Sequence, residues 1–194
     1  TARINQHFMM GTFREGLSLV PGIEEKLKEN AIFLDQHRIM VVNYKIATLY
    51  FGSGEYSTSI DYLQTIIHES GELRTDLQCY SRLLHLMAHY ELGNYDIMES
   101  LTKSVYRFMA KMQNLTMIEE EMFRFLRHSF HHVPARRLKP ELEQFLQKIK
   151  HLEKNRFETR SFAYLDIISW VESKVYGKPM GTIIHEKYLA SKRK

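Results

Sequence analysis

One cysteine, four prolines and nine glycines in 194 residues leave little material for several common architectures. A lone thiol, Cys79, permits neither an intrachain disulfide nor a cysteine-built zinc site. It lies in an apolar helical stretch, where a buried, inert thiol is expected, and this suits a reducing, cytoplasmic setting. Nine glycines cannot supply the turns that a β-sandwich needs about every 8–12 residues. No apolar run reaches the roughly 18–20 residues of a membrane-spanning helix. No secretory leader is expected at Thr1. The chain does not open on Met, and it reads as the C-terminal part of a longer protein.

Charge of one sign is also in short supply. The net charge is +4, from 27 Lys and Arg against 23 Asp and Glu. That is mildly basic and falls short of a nucleic-acid footprint, which clusters its charge. Signatures of catalysis are missing too. Gly52-Ser53-Gly54 has neither the length nor the lysine of a phosphate-binding loop, and no G-x-S-x-G elbow occurs. No catalytic residue and no cofactor are expected.

What the chain does have is helical periodicity. Good helix formers (Leu, Glu, Lys, Met, Gln and Arg) are frequent, and hydrophobic residues make up 44%. The pattern predicts about nine helices, at 4–10, 14–29, 36–51, 56–69, 74–92, 95–112, 117–132, 139–153 and 158–176. Pro21 should bend or reset the second of them. Asp35 can cap the third, and Gly54 and Gly93 can end the third and fifth. Residues 1–177 read as one domain and 178–194 as a C-terminal tail that can form a short helix, with Ser191 to Lys194 fraying.

Short connections make successive helices antiparallel. One turn recurs, as Gly11-Thr12-Phe13, Gly54-Glu55-Tyr56 and Gly93-Asn94-Tyr95, at intervals of 43 and 39 residues. The glycine ends one helix and the aromatic opens the next. The stretch 43–67 then carries Ile46, Ala47, Tyr50, Gly54, Tyr56, Ser59 and Leu63 at telling positions. This pattern resembles the tetratricopeptide repeat, whose period is about 34 residues. Asn43 stands where the family has Trp, and the second repeat is looser, with Leu86 and Met98 in place of small residues. The resemblance covers roughly residues 1–112 and looks closest to bacterial tetratricopeptide-like proteins. It implies an all-α, right-handed superhelix of stacked antiparallel hairpins.

The resemblance also implies a function. The first helix of each hairpin would line a concave groove holding a segment of a partner protein. The groove positions fall on Val41, Tyr44, Lys45 and Thr48, then on Tyr80, Leu84 and Met87. Lys45 would meet an acidic side chain or a carboxylate. The alternative is a nucleic-acid-binding or regulatory module using Arg136, Arg137, Lys139, Lys148, Lys150, Lys154, Arg156 and Arg160. Glu141, Glu143, Glu153 and Glu158 are interspersed among them, which favours a mixed, solvated face.

Two further clusters invite chemistry. His128 and His132 have the i, i+4 spacing of a metal pair, but Ser129 stands where a zinc protease carries Glu. Histidines near a helix C-terminus suit its dipole, so no metal site is expected. Glu119, Glu120 and Glu121 point around a helix rather than at one atom, and they suit the start of the seventh helix.

Overall fold

The computed structural model of the protein describes residues 2–30, 33–69, 74–132, 138–155, 158 and 164–192, the side chains of 130–132 excepted. Among these residues the structure is all-helical, with no strand. The helices are α1 (Ala2–Met10), α2 (Phe13–Gly16), α3 (Val20–Glu29), α4 (Gln36–Ser53), α5 (Tyr56–Ile67), α6 (Thr75–Glu91), α7 (Tyr95–Lys111), α8 (Met117–His132), α9 (Leu138–Lys150), α10 (Ile167–Tyr176) and α11 (Met180–Lys192). None of them is long and apolar enough to cross a membrane.

Local chemistry explains the boundaries. The Asp35 carboxylate accepts a hydrogen bond from the Arg38 amide at 2.8 Å and starts α4. Gly54 ends it at φ +92°, and the amides of Gly54 and Glu55 donate to the carbonyls of Phe51 and Tyr50. Gly93 repeats the arrangement at φ +73°, its amide on Tyr90 and that of Asn94 on His89. These are Schellman closures, which satisfy carbonyls the helix end would leave unpaired. The aromatic after each turn packs back on one five residues earlier. Phe13 meets Phe8 at 6.0 Å, Tyr56 meets Phe51 at 5.3 Å, and Tyr95 meets Tyr90 at 6.2 Å between ring centres.

From α4 onward each helix packs on the next, through α5, α6, α7, α8, α9, α10 and α11. The main core follows this order, from Met40 and Tyr44 through Leu83, Leu86 and Phe123 to Trp170 and Val171. A second cluster joins Ile4, Phe13 and Val20 to Ile46 and Leu49 of α4. Finally, α11 turns back and packs on α1 and α4.

Three boundaries sharpen the sequence reading. The expected helix over 14–29 is split by a 3-10 turn at Leu17–Leu19, and Pro21 lies in the first turn of α3, where its missing N–H costs nothing. Within the expected helix over 158–176, Glu158 is helical, 164–166 are not, and a helix starts at Ile167, where the Asp166 carboxylate accepts from the Ser169 amide at 2.9 Å and caps it. The stretch 178–194 holds the short helix allowed for it, 13 residues long, and this helix buries Gly181 and Ile183.

Candidate binding groove

Helix α4 presents Val41, Tyr44, Lys45 and Thr48 on one face, at steps of three and four residues. They form one wall of a cavity of about 630 Å³. Asn5, Phe8 and Met9 of α1 form a second wall, and Met180 and Ile184 of α11 a third. Leu77, Arg74 and the segment 164–166 close the far side. The lining is mainly apolar with a few polar groups set into it, the usual make-up of a ligand site.

Lys45 is the polar group of most consequence. Its Nζ donates to Asn5 Oδ1 at 2.7 Å. Among the described residues no carboxylate lies within ion-pair distance of it. Partial burial lowers its pKa from the ordinary lysine value. Thr48 Oγ1 donates to the Tyr44 carbonyl at 2.9 Å and keeps its own polarity satisfied.

Beside the cavity, the chain's own residues pack over α4 and α6. The Tyr164 ring stacks on Tyr80 with centres 4.7 Å apart and meets Tyr44 edge-on at 6.0 Å. The Tyr44 hydroxyl donates to the Tyr164 carbonyl at 3.1 Å, and burial raises the Tyr44 phenol pKa far above the ordinary value. The Tyr164 hydroxyl donates to Asp76 at 2.7 Å, and Arg74 grips the same carboxylate at 2.9 and 3.0 Å. Hydrogen bonding by Arg74, more than any other contact, pulls the Asp76 pKa down to about 2.

Of the seven residues expected in the groove, Val41, Tyr44, Lys45 and Thr48 come together on its wall. Tyr80 lies beneath Tyr164 and is 3% exposed. Leu84 and Met87 have no exposed surface and belong to the main core, so they offer a partner no contact. Sequence reasoning missed Asn5, Phe8, Met180 and Ile184. They reach the groove only because the two ends of the array meet, and no local pattern announces that.

The acidic cluster takes up structural roles. Glu119 is fully buried and accepts from the Thr116 amide and hydroxyl, both at 2.6 Å. The bond from the amide is the glutamate half of a capping box at the start of α8. Glu158 accepts from the Met117 amide at 2.8 Å at the same helix end. His128 stands 3.8 Å from Glu141, while the His131 and His132 side chains lie outside the described residues. Among the described residues, no group of three or more His, Cys, Asp or Glu is arranged to hold a metal.

The basic residues of the C-terminal helices are interleaved with acids. Lys148 faces Glu121, Lys150 faces Glu153 and Glu172, Lys174 faces Glu91, and Lys187 faces Glu153 and Glu172. Arg136, Arg137, Arg156 and Arg160 lie outside the described residues. No protein-family model, no curated protein and no solved structure matches the chain.

Proposed function

We propose that this chain is a non-catalytic, tetratricopeptide-like scaffold that holds a short segment of a partner protein in the α4 groove. The observation that carries the reading is the cavity itself. It is concave, mostly apolar and about 630 Å³, with one half-buried ammonium that has no carboxylate beside it among the described residues. That volume holds a few side chains rather than a whole helix. The partner segment therefore brings one or two apolar side chains for Phe8, Val41 and Ile184, and a carboxylate for Lys45. Apolar contact supplies most of the affinity, and the ion pair fixes orientation.

The recurring Gly-x-aromatic turns and the packing of helices in sequence order support the tetratricopeptide likeness. The interleaved charges of the C-terminal helices favour a protein partner over nucleic acid. A cytoplasmic setting goes with the same reading, since Cys79 is a buried free thiol whose pKa burial raises to about 11.

The test compares wild type with Lys45→Glu in pulldowns from the native host, after circular dichroism shows equal helicity. Reversing the charge places a carboxylate against the partner's own, so the groove-dependent partners should be lost. Recovery of the same partners at equal yield would remove the groove as the binding surface.

A further inference from the structure

Away from the groove, helix α6 carries a pair of side chains arranged like a chelate. His85 and His89 are one turn apart and both half-buried. Their Nε2 atoms stand 3.3 Å apart, with the rings edge to face. Two zinc–imidazole bonds of about 2.0–2.1 Å, opening at the tetrahedral angle, need nitrogens about 3.3–3.4 Å apart. The pair already has that spacing.

A second contact orients the pair. The Asn94 amide lies 2.9 Å from His89 Nδ1. Asn94 is held there by the Gly93 turn, its own amide bonded to the His89 carbonyl. The Asn94 Nδ2 donates to Nδ1, so His89 carries its proton on Nε2 and donates it to His85 Nε2; with the amide turned over, its oxygen would accept from Nδ1–H and free the Nε2 lone pair for a ligand. Burial, and then the neighbouring His89, His68 and Arg82, lower the His85 pKa to about 4. Burial lowers His89 as well. Arg82 opposes a cation here, although its guanidinium is engaged by Gln78, the Ile67 carbonyl and the Phe108 ring.

We propose that His85 and His89 form a two-imidazole site for a borderline divalent transition metal (Zn²⁺, Ni²⁺ or Cu²⁺), with water in the remaining positions. Imidazole donors select this class of ion over Mg²⁺ and Ca²⁺. Metal–nitrogen bonds replace the Nε2–Nε2 contact. The His89 proton moves from Nε2 to Nδ1 as the Asn94 amide turns to accept it through its oxygen, so no proton need leave the neutral pair. Two protein donors make the site weaker than a four-ligand structural zinc centre.

The whole chain is titrated with ZnCl₂, and separately with CuSO₄, in a non-coordinating buffer near neutral pH. Binding is followed by calorimetry and by NMR of the histidine rings. The expected result is saturable one-to-one binding, tighter for copper, that shifts the ring signals of His85 and His89. His89→Gln should abolish it, Asn94→Ala should weaken it about tenfold, and His128→Ala should leave it unchanged. Absence of saturation overturns the proposal, as does binding that survives in folded His89→Gln. If His89→Gln does not fold, the ring signals of wild type decide: shifts confined to residues 128–132 overturn it.

Discussion

Gln113 closes α7 with φ at +52°, a conformation that glycine takes freely and other L-residues do not. Its surroundings match those of Gly54 and Gly93: the Gln113 amide donates to Ala110 and that of Asn114 to Met109. Gln113→Gly should therefore raise stability by about 1 kcal/mol, the usual strain of a left-handed residue. Gly54→Val should lower it by about 1–3 kcal/mol. Nothing stands within 4 Å of a Cβ at Gly54, so that loss would be backbone strain alone. Thermal melts of the two variants should move in opposite directions, and an unmoved Gly54→Val would count against the turn assignment. Asp76 supplies a pH test. Its folded pKa of about 2 lies below the ordinary 3.8, so its stabilisation is present above about pH 4 and is lost as pH falls toward 2. Urea melts of wild type and Asp76→Asn should differ at pH 6 and converge near pH 2. An equal gap at both would show that the Arg74–Asp76–Tyr164 cluster does not carry that charge. At this scale the sequence was informative where spacing alone decides. Val41, Tyr44, Lys45 and Thr48 share a face because of their steps of three and four. Leu84 and Met87 obey the same steps, yet periodicity tells which residues share a side and not what lies over it.

Helix α11 was the least legible element, since Met180–Lys192 mixes apolar and polar residues around its circumference. The signal available was Gly177-Lys178-Pro179, where glycine stops one helix and proline can begin another. Asp166, three residues before Ser169, likewise marked the true start of α10. The docking of α11 relies on contacts that no pattern encodes. Gly11 and Gly181 bring two backbones together, and a Cβ on Gly181 would lie 2.5 Å from the Gly11 carbonyl oxygen. The His185 ring nitrogen Nδ1 stands 2.8 Å from the Met10 carbonyl, and Lys187 bonds Glu153 at 2.6 Å and Ser169 at 2.9 Å. Gly181→Ala sets helix propensity, a gain of about 1 kcal/mol, against a backbone clash. The clash should win, with a net loss of about 1–3 kcal/mol. Gly22→Ala in α3 meets nothing within 4 Å and should instead gain up to about 1 kcal/mol. Paired melts check both, and a Gly181→Ala protein as stable as Gly22→Ala would mean that α11 does not approach so closely.

For the whole molecule, the all-helical class and the order of packing followed from helical period and short turns, because hairpin neighbours are also sequence neighbours. The closure between α1 and α11 joins the most distant helices of the described chain. Local hairpins form at small entropic cost, whereas this contact must close a loop spanning nearly all the residues. Its formation therefore belongs late in folding, after the hairpins exist. Asn5 and Phe8 stand on one side of that closure, Met180 and Ile184 on the other, and all four line the cavity. A ribosome-bound chain that has made everything up to Tyr176 can hold the α4 face ready and still lack one wall. On the proposed reading, competence to bind would arrive with α11, in a single step, and a chain in which α11 is not yet docked would leave the groove open on one side.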